Sequence, residues 1–327
     1  MRVAILGCGL IGQRRGHVAR QLGDEVVAVY DTNGERRNTA GAFFDAQPAP
    51  STTALLESAA DSVVIATTHV DLASLTRLAL LAGKHVFVEK PGALSAHDLS
   101  LNATMASQLN LALQVGYTHQ HHGHVAAGLA RVSSGEFGRI LSIRGFMGNG
   151  GRPGLGGEWR ANPALSGGGA STDLLVHLIE LTSHLLPQPD TYYLSTATTY
   201  WNFNSKGESA DDNASLVMVD KSGAVANLAA SWTEWANSFT FVINCETHTL
   251  RINGLGGDKY GETSLTLVAQ AWDGKRPPEQ LLDSTEYANR DPWAAEWQSF
   301  KNLVNQPAGP DGGRLNRAIT TLTLLKQ

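Results

Sequence analysis

Three residues of this chain could move a proton and hold a reacting oxygen: Lys90, Asp173 and His177. Asp173 and His177 stand four apart in GGGASTDLLVHLIEL, so a helix would set both on one face within contact distance. A carboxylate at that spacing can orient an imidazole and stabilise its charged form, and imidazole titrates ordinarily near neutral pH. Leu174, Leu175, Leu178, Ile179 and Leu185 supply a buried side for the helix, and Pro187 ends it. On spacing alone, Asp173, His177, Glu180 and His184 equally make the polar stripe of a solvated face. Lys90 follows the apolar run HVFV and sits between Glu89 and Pro91, at the carboxyl end of a strand. An ordinary lysine titrates near roughly 10.4. The proton is therefore assigned to His177, and Lys90 is left to hydrogen-bond the oxygen.

A second constellation could hold a dinucleotide. Arg2 leads into the apolar run Val3 to Leu6, and Gly7, Gly9 and Gly12 follow as G-x-G-x-x-G before a helix-like segment with Val18, Ala19 and Leu22 on one side. In that spacing the first glycine allows a tight turn, the second lets backbone approach a pyrophosphate, and the third lets helix pack on strand. The helix start offers free N–H groups and a positive dipole end to phosphate. A second strand-like run, Glu25 to Tyr30, ends at Asp31, nineteen residues after Gly12, where a carboxylate would hold ribose hydroxyls. That acid favours NAD over NADP, because it would repel a 2′-phosphate; Arg36 and Arg37 nearby soften the preference.

The elements that must position these residues follow from pattern. Strand-like runs at 62–66, 84–88 and 111–115 alternate with helix-like runs at 72–82 and 95–109, which predicts a parallel sheet with ligands at its carboxyl edge. The character changes near Gly116. Ten glycines between Gly145 and Gly169 predict a long mobile loop. Strand-like runs at 191–203, 214–219, 224–232, 239–244, 249–253 and 264–271 then predict an antiparallel meander, with Asp220-Lys221-Ser222-Gly223 as a hairpin turn. Helices from Trp293 and from Gly312 close the chain. The fold class is α/β, with a dinucleotide-binding domain at 1–118 and a second α/β domain at 119–327 built on a large, open, mostly antiparallel sheet.

Bulk properties bound the function. With 327 residues, 42% hydrophobic and 17% charged, the chain suits two globular domains. A net charge of -5 argues against a nucleic-acid partner. Cys8 and Cys245, far apart, make no disulfide framework and suit a reducing, cytoplasmic setting. Arg14, Arg15 and His17 stand where a signal peptide would need a small-residue cleavage site, and no run is long and apolar enough to span a membrane.

With GCGLIG, AGKHVFVEKP and GGGASTDLLVHLIEL in order and at matching distances, the chain resembles the glucose-fructose oxidoreductase, inositol dehydrogenase and MocA family, from Met1 to about Trp297. The resemblance implies a Rossmann domain, an open-sheet domain after it, and a substrate held between them. It implies NAD as cofactor, with NADP second, and hydride transfer to or from a carbinol carbon of a sugar, nucleotide sugar or cyclic polyol. Lys90, Asp173 and His177 become the catalytic group, as in the inositol dehydrogenase branch. The cofactor would be held by Gly7, Gly9, Leu10, Ile11, Gly12, Asp31, Thr67, Thr68, His69, Glu89 and Lys90, and the substrate by Tyr117, His119, Trp159, Arg160, Asp173 and His177. A homodimer or homotetramer through the C-terminal sheet is expected. Rival readings are an NAD-using glycosidase of the same fold and a catalytically silent nucleotide or sugar sensor.

The chain departs from the family in three places. The common Thr-Pro-Asn is Thr67-Thr68-His69, a frequent histidine three residues on is Leu72, and the stretch usually rich in arginine reads GYTHQHHGH from Gly116 to His124. Extended backbone there would point His119 and His121 one way and His122 and His124 the other, with no acid or cysteine beside them, so no metal is expected.

Overall fold

The computed structural model describes residues 1–201, 209–256, 260–271, 275, 277–282, 290–306 and 313–326. It divides into two compact units. One comprises Met1–Thr118 with Trp293–Ile319, the other His119–Pro292 with Thr320–Gln327.

In the first unit, β1 (Arg2–Leu6), β2 (Glu25–Tyr30), β3 (Gln47–Pro48), β4 (Ser62–Ile65), β5 (His85–Glu89) and β6 (Leu113–Gly116) form one all-parallel sheet in the order β3-β2-β1-β4-β5-β6. The order reverses at β1, which is the arrangement that opens a crevice at the strands' carboxyl ends. β4 and β6 are buried along their whole length, as expected where helices cover both faces. The connecting helices are α1 (Leu10–Gln21), α2 (Gly34–Phe44), α3 (Thr52–Leu56), α4 (His69–Leu81) and α5 (Ala96–Gln108). Three are started by side-chain caps: Asn33 accepts from Arg36 N–H, Ser51 from Ala54 and Ser95 from Asp98.

The second unit carries α6 (Gly123–Ser133), β7 (Ile140–Gly148), the one-turn helix α7 (Pro163–Ser166), α8 (Val176–Leu185), β8 (Pro189–Ala197), β9 (Asn213–Asp220), β10 (Val225–Ser231), β11 (Ser238–Cys245), β12 (His248–Asn253), β13 (Ser264–Ala269) and β14 (Glu279–Leu282). Its sheet runs β14-β13-β12-β11-β7-β10-β9-β8, and every neighbouring pair is antiparallel except β7 with β10. It is therefore no simple meander, because β7 inserts between β10 and β11. The sequence reading put the start of a mobile loop where β7 lies. Gly145 is a mid-strand residue, and a Cβ there would stand 3.2 Å from the Leu178 side chain and 2.9 Å from that of Leu228. Its missing side chain serves close packing of α8 on the sheet, a use that local sequence does not distinguish from looseness.

Other boundaries shift as well. The strand expected at 191–203 ends at Ala197, and Asn202 and Phe203 lie outside the described residues. The strand expected to reach Ala271 stops at Ala269, and β14 had no strand pattern of its own. The closing helices are α9 (Pro292–Asn305) and α10 (Arg314–Leu324); Gly312 lies outside the described residues. In the second unit's core, Leu174, Leu175, Leu178, Ile179 and Leu181 pack with Ile143, Leu216, Leu228 and Phe241 of the sheet.

Candidate active site

The glycine turn of the first unit is built by backbone. Gly7 has φ +92, and a Cβ on Gly12 would lie 1.8 Å from the Gly7 carbonyl oxygen, so neither position admits a side chain. A Cβ on Gly9 would meet nothing within 4 Å. The space in front of the α1 N-terminus is thus open, and the helix's first N–H groups face it with no side-chain cap. Leu10, at the head of α1, is 82% exposed. Asp31 follows β2 beside this turn. Its two oxygens accept the N–H of Cys8 (2.8 Å) and of Asn33 (2.8 Å), which fixes the carboxylate at the strand's carboxyl edge. Burial pushes the Cys8 thiol up to about 12, and the Asp31 charge adds to that, so it is a small packing residue in a tight turn.

Along the same edge, Thr67 and Thr68 end the β4 turn, and Thr68 donates to Asp71 at 2.7 Å inside the first turn of α4. His69 is buried. Glu89 ends β5, with the cis peptide Lys90–Pro91 after it. The Glu89 carboxylate accepts from Arg15 Nε at 2.7 Å. Arg15 also bonds Glu296 at 2.6 Å and Thr118 at 3.2 Å, and lies over the rings of Phe87 (4.4 Å) and Trp293 (4.2 Å). Burial works against the charged guanidinium, but Glu296 and Glu89 outweigh it and hold its pKa above the ordinary value. Sequence reasoning passed over Arg15 because an arginine in the second turn of a helix has no local sign of burial. Tyr117, expected at the substrate, is 2% exposed.

In the second unit, Asp173 and His177 do share one helical rod, but its start is a π-helical turn, Ser171–Leu175, that passes into α8. The wider turn carries an extra residue, a form concentrated at functional sites. The stripe is no solvated face: His177 is 7% exposed and Glu180 2%, while Asp173 and His184 are part-buried. Glu180 meets His184 at 3.1 Å, and His184 meets Gln120 at 3.0 Å.

The histidine run is not extended. Thr118–His121 is a 3-10 turn and His122 precedes α6, so side chains do not alternate. His119 lies against His177 with ring centroids 3.8 Å apart and planes tilted 52°; His122 is 5.9 Å from His119 and 6.0 Å from His124. His124 is buried and bonds the Gly254 carbonyl at 2.9 Å. Among the described residues, no group of three or more His, Cys, Asp or Glu side chains is arranged to hold a metal ion.

The segment between β7 and the π-turn has local structure, with 3-10 turns at Leu155–Gly157 and Trp159–Ala161 before α7. The Arg160 guanidinium covers the Trp159 ring at 4.6 Å and reaches Asp173 at 3.8 Å. Arg152 pairs with Glu158 at 2.7 Å. Tyr260, which carried no motif, is brought near Asp173: burial pushes its phenol up, and the Asp173 charge adds to that. Asn149 Nδ2 donates to its oxygen at 3.3 Å. Arg160 thus lies beside Asp173, and His119 against His177. The arrangement can bind hydroxyl groups, orient an imidazole and pass a proton.

Comparison with known proteins agrees with this architecture. Residues 1–117 match the oxidoreductase family with an NAD-binding Rossmann fold, and residues 128–251 match the GFO/IDH/MocA C-terminal domain. A dTDP-3,4-didehydro-2,6-dideoxy-alpha-D-glucose 3-reductase of Saccharopolyspora spinosa is 27% identical over 70% of this chain and 67% of its own length. An inositol 2-dehydrogenase of Pseudomonas fluorescens is 27% identical over 67% of this chain and 64% of its own. The chain thus spans about two thirds of the length of these curated relatives. Among solved structures, a UDP-N-acetylglucosamine 3-dehydrogenase of Acidithiobacillus ferrooxidans superposes with a TM-score of 0.80 at 22% identity, covering 99% of this chain and 96% of that one. A levoglucosan dehydrogenase in complex with NADH gives 0.80 at 17%, covering 98% and 96%. No helix among the described residues is long and apolar enough to cross a membrane.

Proposed function

Because the chain belongs to the GFO/IDH/MocA oxidoreductases, with an NAD-binding Rossmann domain at its start, we propose that it is an NAD-dependent dehydrogenase or ketoreductase acting on a carbinol or keto carbon of a sugar, nucleotide sugar or cyclic polyol. The observation that carries the reading lies in the second unit: on one helical rod, a buried His177 packs against His119 and Asp173 lies 3.8 Å from Arg160.

The bound nicotinamide would supply the hydride acceptor or donor. Gly7, Gly9, Leu10, Ile11 and Gly12 would hold its pyrophosphate on the α1 N-terminus, and Asp31 its ribose. Thr67, Thr68, His69 and Glu89 lie along the same edge. On oxidation, His177 takes the proton of the substrate hydroxyl, and Asp173 stabilises the imidazolium that forms. Lys90 hydrogen-bonds the reacting oxygen as it gains carbonyl character. On reduction His177 returns the proton. Arg160 and His119 bind hydroxyls. Trp159 would offer the substrate one ring face only, since Arg160 covers the other.

A homodimer or homotetramer through the open sheet is part of this reading; Tyr193 and Val217 are exposed apolar residues on β8 and β9. A cytoplasmic setting suits the two free thiols.

The test is NADH formation from NAD with a panel of myo-inositol, D-glucose, D-glucose 6-phosphate, levoglucosan and UDP-N-acetylglucosamine. His177→Ala and Lys90→Ala should each lower kcat by roughly 10²–10⁴-fold while NADH still binds. Near-normal turnover in His177→Ala would remove it from the mechanism, and hydrolysis without net NADH would favour a glycosidase.

A further inference from the structure

The sequence SADDN places two carboxylates side by side just before β9, in a stretch where neither had been given a task. They serve different segments. Asp212 is fully buried; burial pushes its carboxyl up, but the N–H groups of Tyr200, Trp201 and Thr199 together hold it below the usual range. Asp211 turns to the start of the π-helical turn. Its Oδ1 accepts from Gly169 N (2.8 Å) and from Ser171 Oγ (2.7 Å), its Oδ2 from Ser171 N (2.7 Å), and its own carbonyl from Ala170 N (2.7 Å).

We propose that Asp211 is a positioning residue for the acid–base helix, holding the π-turn in the place that sets Asp173 and His177. The inference rests on the function proposed above.

The first N–H groups of a helix have no partner within it. The residue in the cap position is Ala170, whose side chain can accept nothing. Asp211 alone satisfies three successive N–H groups, at 169, 170 and 171, from a neighbouring part of the fold. The next link is local: Asp173 N bonds the Gly169 carbonyl at 2.9 Å, so the clamped glycine is also the anchor of Asp173. The glycine run is what permits the approach. A Cβ on Gly169 would lie 1.9 Å from the Asp211 carbonyl oxygen, and one on Gly168 2.6 Å from Ser171 Oγ.

Desolvation pushes the Asp211 carboxyl above its ordinary range, and the bonds from Ser171 and Gly169 oppose this without cancelling it. Such a group contributes most to stability below the ordinary aspartate value, near about 3.9, and less as pH rises through its raised value. What it supplies is geometry.

The experiment uses the full chain. In Asp211→Asn, amide exchange at Gly169, Ala170 and Ser171 should quicken by about tenfold or more, read by hydrogen–deuterium exchange. On the best substrate of the panel, kcat should fall by about tenfold or more, and the pH–kcat limb that depends on His177 should move. The NADH dissociation constant should not change, because the cofactor residues lie in the other unit. Ser171→Ala removes a single bond and should give about two- to fivefold changes in both exchange and kcat; it serves if Asp211→Asn does not fold. Wild-type kcat and pH limb in folded Asp211→Asn, or unchanged exchange at the three amides in either variant, would overturn the proposal. His177→Ala in the same assay separates the two readings. Full turnover there defeats the assigned chemistry, while quickened exchange in Asp211→Asn still upholds the clamp.

Discussion

The Asp31 carboxylate, held by two backbone N–H groups, presents a fixed negative charge beside the glycine turn. Its affinity consequence is directional: ribose hydroxyls can donate to it, whereas a 2′-phosphate is repelled. NAD should bind more tightly than NADP, and Asp31→Ala should weaken NAD binding by about tenfold or more while strengthening that of NADP. Calorimetric titration measures both, and tighter NADP binding by the wild type would refute the assignment. Two histidines, His85 half-buried and His124 buried, tie stability to pH. Ala112 N–H donates to His85 Nδ1 at 3.0 Å, a bond that ring nitrogen makes only when deprotonated. Burial holds the His85 pKa below its ordinary value, against a nearby Asp61, and burial likewise lowers that of His124. Because both folded-state values are depressed, their contribution is fully present above about pH 6.5 and is lost as pH falls through the lowered values. The melting temperature should decline on acidification below about pH 6.5. It should decline less in the double variant His85→Gln/His124→Gln; an equal decline would count against both histidines.

At the scale of elements, the turn before α1 and the turn before α8 both rely on positions that exclude a side chain. They do so for different partners: the Gly12 position abuts the Gly7 carbonyl, and the Gly169 position abuts the Asp211 carbonyl. Gly12→Ala and Gly169→Ala should each destabilise the fold by about 1–3 kcal/mol, read by denaturant titration. The two should separate functionally: Gly12→Ala loses NAD affinity, and Gly169→Ala loses kcat with NAD affinity retained. If Gly169→Ala left kcat intact, the geometry of the π-turn would not matter to turnover. The G-x-G-x-x-G and GGG patterns were readable in one dimension because each precedes a helix-like run. Gly145 was not, since its reason is the approach of Leu178, 33 residues on. The histidine run misled in the same way, because a 3-10 turn leaves no periodic mark over four residues.

At the scale of the whole chain, the first unit is completed by residues from its far end. Trp297, Phe300 and Leu303 of α9 join Val3, Val64 and Phe87 in one core cluster, and Trp297 Nε1 donates to Asp24 at 2.7 Å. Glu296 enters the buried group around Arg15. Trp297→Ala should therefore cost about 3–5 kcal/mol. Glu296→Ala should cost a similar amount, since it strips one carboxylate from a buried arginine. Thermal or denaturant unfolding measures both, and a loss below about 1 kcal/mol in Trp297→Ala would mean that α9 adds little to that core.

What the sequence by itself determined about this protein was its local and periodic content. The alternating β-α order of residues 1–116, the dinucleotide turn with its acid, the hairpin at Asp220 to Gly223, and the pairing of Asp173 with His177 on one rod are all present in the structure. Each is carried by turn chemistry or by a period of two or about four residues, which depends on near neighbours alone. The tertiary structure decided the rest. Only folding puts β7 between β10 and β11, returns α9 to the first sheet, lays His119 on His177, and brings Asp211 to the start of the π-turn. Those contacts join residues 40 or more positions apart in the chain. Their energy comes from burial and satisfied hydrogen bonds between distant segments, and no short window of sequence carries that information.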